Sequence, residues 1–389
     1  MRFLIALLLA LLPSFSFAAK PAEKPAAVMV GGSIAKQAYL IDMNTQTVLL
    51  DKGGEVRMPT SSMSKMMTVY VMFEALKANK AALTDEYTVS EKAWRSTYKA
   101  EGSSSFMPLN SKVKVEDLIR GIIIQSGNDA TIVLAEGLSG SESAFVAAMN
   151  DKAQQLGMKN THFANPSGLP DPEHYSTPQD LALLAWHLIY DFPEYYHYFA
   201  EKEFTFNNIK QGNRNPLLYK NLGVDGLKTG HADEAGYGIT ASAIRNGRRL
   251  ILVVNGLANM QERSDEAERL INYGYDEFAL LNVAKKDEPI RTVKVAFGEA
   301  KTVPVAITRD AAVTVRNADR SKIKSNVQLV EPLEAPIAKG TEIGKFNVIM
   351  GDEKLATYPL VAGESVPKLG FFPLMWAKLR FMITGKYDE

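Results

Sequence analysis

The chain reads as an α+β domain followed by a small all-β domain and a C-terminal amphipathic helix. Three features predict this. β-branched runs stand at both ends of residues 33–288 with helical runs between them. Beyond Asp287, short apolar runs alternate with Gly, Asp and Pro turns and carry no helical period. The last 22 residues are rich in Phe, Leu, Met and Trp. A length of 389 residues leaves room for two or three domains. Hydrophobic residues at 46% and charged residues at 23% are ordinary for a globular protein, which excludes a disordered, collagen-like or coiled-coil chain. The 44 basic and 44 acidic residues cancel, so no overall field draws the protein to nucleic acid. Cysteine is absent, which removes disulfides, thiol catalysis, thiolate-bound zinc and iron–sulfur clusters. The histidines show no HExxH or HxH spacing, and no metal or cofactor is implied.

From the N-terminus, Arg2, the apolar run Phe3–Leu12 and the small-residue boundary Ser16-Phe17-Ala18 have the layout of a secretory signal peptide over residues 1–18. An uncleaved anchor is the alternative, but this stretch falls short of the ~20 residues a bilayer span needs. Residues 19–32, rich in Ala, Pro and Lys, form a flexible leader. Ala38–Met43 and Thr47–Asp51 make a hairpin around Asn44-Thr45-Gln46. A helix spans Ser62 to Ala78, and two more, Val115–Gln125 and Ala130–Leu138, are broken at Ser126-Gly127-Asn128. Ser143–Leu156 and Pro178–Ile189 are helices. Tyr237–Ile244 and Arg249–Leu257 are strands joined through Asn246-Gly247, a strong hairpin signal. Glu262–Glu277 is the last helix of this domain. The all-β domain, 289–367, contains the runs Thr292–Phe297, Thr302–Ile307, Ala312–Val315, Asn326–Leu329, Ile343–Val348 and Lys354–Val361. In the tail, 368–389, Met375, Trp376, Leu379, Met382 and Ile383 fall on one helical face opposite Arg380 and Thr384. Such a helix is too short and too charged to span a bilayer. It suits a membrane interface, or else docking on the protein's own core.

Chemistry concentrates in three short motifs. Ser-x-x-Lys stacks a hydroxyl and an amine on one helix face, and a neutral amine can take the hydroxyl proton. The chain has six such pairs, five of them in polar or turn-rich stretches. The sixth, Ser62/Lys65, opens a segment that is apolar nearly all round and therefore buried. Burial of Lys65 lowers its pKa and makes the neutral base accessible; a lysine that reaches out to solvent or pairs with a carboxylate also fits this segment. Ser126-Gly127-Asn128 reads either as a helix break with a cap or as a second hydroxyl with an amide to orient a substrate. Lys228-Thr229-Gly230 reads as a common turn or as a carboxylate site beside a strand, where glycine permits close backbone approach.

Together and in this order, the three motifs resemble the penicillin-binding active-site serine hydrolases. The wider text, Pro59-to-Thr68, Ile124-to-Ala130, Asn165-to-Leu169 with His174, Ser176, Thr177 and Asp180, and Asp225-to-His231, is similar to the low-molecular-mass penicillin-binding proteins, the D-alanyl-D-alanine carboxypeptidases with a β-domain and a membrane helix. The resemblance covers nearly the whole chain. It implies a penicillin-binding protein and serine β-lactamase-like domain over 33–288, with an antiparallel sheet flanked by helices. It implies Ser62 as nucleophile, Lys65 as general base, Ser126 as proton relay, and Asn128 as a substrate-peptide contact. Lys228, Thr229 and Gly230 would hold the substrate carboxylate. The N–H groups of Ser62 and His231 would form the oxyanion hole. Arg263 resembles a further carboxylate contact, with an ion pair to Glu266 as the alternative. The implied substrate is the peptidoglycan stem peptide, with β-lactams as covalent inhibitors, on the outer face of the cytoplasmic membrane in the periplasm. Two departures stand out. Ala232, followed by Asp233-Glu234, replaces a common threonine and adds negative charge. No Glu-x-x-Leu-Asn follows Ser-Gly-Asn, which favours a penicillin target over a penicillinase. A D,D-endopeptidase, a β-lactamase and a non-catalytic wall-binding scaffold remain as alternatives.

Overall fold

The computed structural model describes residues 32–99 and 102–385. The expected signal peptide and the leader up to residue 31 lie outside the described residues. The expected first hairpin forms from β1 (Gln37–Asp42) and β2 (Thr47–Lys52). A tight 3-10 turn at Ser61–Ser64 then feeds α1 (Lys65–Lys77). The sequence predicts a helix from Ser62, and the α-helix proper starts three residues later. β3 (Glu86–Thr88), α2 (Glu91–Lys99) and β4 (Lys112–Lys114) come next, with β3 and β4 paired. α3 (Val115–Arg120) widens into a π-type turn over Gly121–Gln125, and Ser126 breaks the helix with φ 66°. α4 (Asn128–Ser139), α5 (Glu142–Gln155) and α6 (Pro178–Asp191) complete a helical layer. α6 starts as its sequence dictates: the Thr177 side chain accepts from the Asp180 N–H, and Pro178 fills a position whose N–H needs no partner.

A small ribbon, β5 (Glu203–Phe206) with β6 (Ile209–Gly212), leads into β7 (Val224–Ala232), β8 (Gly236–Arg245) and β9 (Arg248–Leu257). α7 (Met260–Asp276) follows, capped by Asn259. The main sheet is antiparallel in the order β2-β1-β9-β8-β7. Alternation along β9 builds two cores. Leu250, Leu252 and Val254 join Ala267, Leu270 and Ile271 of α7 on one face, while Ile251 and Val253 join the α1 and α6 side chains on the other. α1 runs through the middle of the second core and is buried all round, as its composition predicts.

The second unit contains β10 (Phe278–Ala284), β11 (Arg291–Lys294), β12 (Thr302–Ile307), β13 (Ala311–Arg316), β14 (Ile323–Leu329), β15 (Glu342–Met350) and β16 (Glu353–Ala362). Its sheets are β11-β12-β16-β15-β14 and β10-β13. The sequence reading starts this unit at 289, but β10 pairs with β13, and Leu281, Val283 and Ala284 pack on its core. The apolar run of β10 directly continues α7 without a turn signal, which hides it. A buried cluster ties the two units together: Asp42 accepts from Arg248 Nε at 2.7 Å and from Thr314 Oγ1 at 2.8 Å. α8 (Phe371–Thr384) closes the described chain. None of its residues is buried, and Trp376 is 74% exposed. The alternative of a helix docked on the protein's own core does not form. Its aromatic seat is Phe297, met edge-on by Phe381 and covered by the Lys378 ammonium.

Candidate active site

Ser62 stands in the tight turn at the head of α1 and lines a cleft of about 1860 Å³. One turn on, the Lys65 side chain is fully buried. Its Nζ lies 2.9 Å from Ser62 Oγ, 2.8 Å from Asn128 Oδ1 and 2.5 Å from the Ser167 carbonyl. Among the described residues no carboxylate touches it and it does not reach solvent, so neither alternative reading of this lysine, reaching solvent or pairing with an acid, describes the fold. Loss of hydration and then the Arg214 charge push its pKa down to about 7, against a smaller opposing pull from Asp129. Two of its three partners are carbonyl oxygens that can only accept. A neutral amine spends both hydrogens on them and turns its lone pair toward Ser62 Oγ.

The second motif is locked from behind. The Asp129 carboxylate accepts from the backbone N–H of Ser105, Met107 and Ala130 and from Ser104 Oγ. The Asn128 N–H bonds the Ser103 carbonyl at 2.8 Å. Ser126 takes the left-handed backbone, a strained choice for a non-glycine residue. Its hydroxyl is buried at the cleft without a hydrogen-bond partner. It is not bonded to Lys65. Glycine is needed between Ser126 and Asn128, because a Cβ on Gly127 would lie 2.1 Å from Ser105 Oγ and 2.8 Å from Asp129 Oδ1.

β7 carries the third motif along the cleft edge. Thr229, Gly230 and His231 line the opening. A Cβ on Gly230 would come within 2.8 Å of the Thr60 carbonyl, so glycine lets β7 lie against the turn that carries Ser62. The N–H groups of Ser62 and His231 therefore belong to neighbouring elements. Lys228 is buried under the strand rather than in the cleft wall, with Nζ 3.2 Å from the Thr229 carbonyl. Burial, then the charges of Lys65, Arg214 and Arg263, hold its pKa well below the usual lysine value. Arg263 does not pair with Glu266, which instead accepts from Ser33 Oγ and Arg269. Its guanidinium lies over the Tyr237 ring and faces the cleft, with Nε unsatisfied. Burial is the main reason its pKa falls to about 10. Asp233 and Glu234 sit on the same rim.

The structure thus gathers Ser62, Ser126, Asn128, Thr229, Gly230, His231 and Arg263 around one cleft, with Lys65 bonded to two of them and Lys228 buried next to Thr229 in the same strand. Sequence reasoning missed two contributors. Arg214 faces the cleft from the turn after β6 and belongs to no motif. The Ser167 carbonyl is a backbone group, and side-chain patterns do not announce it. Among the described residues, no group of three or more His, Asp or Glu side chains is placed to hold a metal ion.

Residues 23–259 match the profile of the family described as D-alanyl-D-alanine carboxypeptidase, and residues 278–368 match that of the penicillin-binding protein 5 C-terminal domain. The chain is 38% identical over 359 residues to D-alanyl-D-alanine carboxypeptidase DacA of Haemophilus influenzae, covering 91% of each chain. It is 40% identical over 346 residues to DacC of Escherichia coli, covering 88% of this chain and 86% of that one. The crystal structure of penicillin-binding protein 5 from H. influenzae superposes with a TM-score of 0.79 at 38% identity, over 88% of this chain and all of that one.

Proposed function

The chain belongs to the D-alanyl-D-alanine carboxypeptidase family and is a serine-type hydrolase of that activity; from this premise we propose that it removes the terminal D-alanine from peptidoglycan stem pentapeptides through an acyl-enzyme on Ser62. Ser62 Oγ attacks the carbonyl carbon of the penultimate D-alanine while its proton passes to Lys65 Nζ. The developing oxyanion is met by the N–H groups of Ser62 and His231. As the C–N bond breaks, Ser126 hands its proton to the leaving D-alanine amine and regains one from the Lys65 ammonium, which returns the lysine to its neutral form. Asn128 orients the peptide backbone while its Oδ1 holds the Lys65 amine. Water then attacks the ester, releases the shortened peptide and regenerates Ser62. Thr229 meets the terminal carboxylate directly, and Arg263 and buried Lys228 supply positive charge around it. A β-lactam places its strained carbonyl and its carboxylate at the same points and acylates Ser62.

The observation that carries this reading is the buried Lys65 amine, held by two acceptor-only oxygens with Ser62 Oγ as its third neighbour. Gel labelling with a fluorescent penicillin tests it: a band for the wild type and none for Ser62→Ala. Product analysis on a pentapeptide tests the substrate, with a single free D-alanine expected per chain. Rapid turnover of a chromogenic β-lactam would instead make the protein a β-lactamase, and preferential cutting of crosslinked dimers an endopeptidase.

The proposal places the protein in the periplasm, held to the outer face of the cytoplasmic membrane through α8. The support is an apolar helix none of whose residues is buried among the described residues and a signal-like N-terminus. Among the described residues, no single helix is long and apolar enough to cross a membrane. Co-sedimentation with anionic liposomes is expected for the full chain and lost after truncation at 370; a full chain that stays in the supernatant would remove the membrane role.

A further inference from the structure

In the wall of the cleft, one largely buried imidazole touches both halves of the reacting pair's support. His174 is 4% exposed, on the chain segment that approaches α6. Its Nδ1 accepts the backbone N–H of Ala164 at 3.1 Å. That bond fixes the tautomer, because an atom accepting a hydrogen carries none. Nε2 therefore bears the proton and donates it to Ser64 Oγ at 2.7 Å. The Ser64 hydroxyl in turn lies 2.5 Å from Thr60 Oγ1. Ser64 and Thr60 flank Ser62, so this chain closes the base of the turn that presents the nucleophile. Ala164 opens the loop whose Ser167 carbonyl holds the Lys65 amine, and Asn165 Oδ1 braces the same loop by accepting from the N–H groups of Ser167, Gly168 and Leu169.

We propose that His174 is a positioning residue that fastens the Ser62 turn to the loop supplying Lys65's third partner, and so sets the nucleophile–base separation. The inference rests on the assignment of Ser62 and Lys65 above. The ring acts as a neutral crossbrace with one acceptor and one donor, and takes no part in proton transfer to substrate. Burial pushes its pKa down to about 4, so it keeps that tautomer throughout the neutral range.

Glutamine can reproduce both bonds, with Oε1 accepting from Ala164 and Nε2 donating to Ser64, whereas leucine reproduces neither. Stopped-flow acylation of the full-length protein by a fluorescent penicillin, with prior noncovalent binding resolved, tests the idea. Displacing a reacting group by about 1 Å costs on the order of 100-fold. His174→Leu should therefore slow the acylation step by about that factor while the preceding binding constant stays within about threefold. His174→Gln should restore acylation to within about threefold of wild type. Ser64→Ala cuts the same link from the other side, so the inference stands on a second variant should His174→Leu fail to fold. It should slow the same step, and the double variant should be no slower than the worse single one. Folded His174→Leu or Ser64→Ala protein that acylates at the wild-type rate, or Gln that behaves like Leu, overturns the positioning role and leaves Ser62 and Lys65 untouched. A wild type that is never labelled overturns the assignment and this inference together.

Discussion

In the proposed reaction Lys65 is the residue on which the chemistry turns, and its environment gives it two separate pH signatures. As a general base it must be unprotonated, so acylation should rise with pH and level off above an apparent pKa of about 7. The stability signature runs in the same direction for a different reason. Folding lowers this pKa from 10.5 to about 7, so between those values the unfolded chain binds the extra proton and stability rises with pH. Below about 7 both states are charged, and the contribution is flat. Denaturant unfolding at pH 7 and pH 9.5 should show a gain in the wild type that Lys65→Met reduces, with buried Lys228 supplying a further share of the same sign. This lysine was legible in the sequence because eleven near-continuous buried positions of α1 leave it nowhere to go. Ser62 was legible beside it, but the lysine's two carbonyl partners were not legible as partners. Asn128 Oδ1 arrives from 63 positions away and the Ser167 carbonyl from 102, and only tertiary packing brings them together. Arg214 was silent because a single exposed-type residue in a turn carries no periodic or motif signal.

At the scale of elements, the helix break between α3 and α4 shows how backbone geometry serves a site. The π-type turn, the left-handed Ser126 and the Asp129 knot together deliver a free hydroxyl to the cleft. The middle glycine leaves no room for a side chain against Ser105. Gly127→Ala should cost about 1–3 kcal/mol through overpacking and slow acylation as the break shifts. Adding Ser105→Ala should return part of the stability, because it removes the atom nearest the new methyl. Thermal melts of the two singles and the double measure the coupling. The break itself was visible as Ser-Gly-Asn between two apolar periodic runs. The strands of the main sheet were visible where β-branched residues cluster, in β8 and β9. β7 was not seen as a full strand, since Asp225, Gly226, Lys228 and Gly230 are poor strand formers that tertiary contacts override. α2 and the β3–β4 and β5–β6 ribbons escaped for a similar reason: they are short and bury few side chains.

Across the whole molecule, the first unit's two cores and the second unit's single core are joined through contacts that include a buried polar cluster at Asp42. Asp42 is fully buried, paired with Arg248 and bonded to Thr314 of the second unit. Asp42→Ala leaves the Arg248 guanidinium unpaired in the interior and should cost about 3–5 kcal/mol. Thr314→Val removes the hydrogen bond to the Asp42 carboxylate, by itself about 1.5–3 kcal/mol, and a second one shared with Thr45 Oγ1. Calorimetry should show the Asp42 variant melting in two steps where the wild type melts in one. Nothing in the sequence marked Asp42 or Thr314, 272 positions apart, as partners, whereas the two-unit layout was plain from the change in texture near 287. The uncovered rings of α8 carry a further consequence for handling. Phe371, Phe372, Trp376, Met382 and Ile383 all face water when no lipid is offered. Molecules in plain buffer will shelter those groups against one another, so the sedimentation coefficient should climb with loading and fall back when a mild surfactant is added.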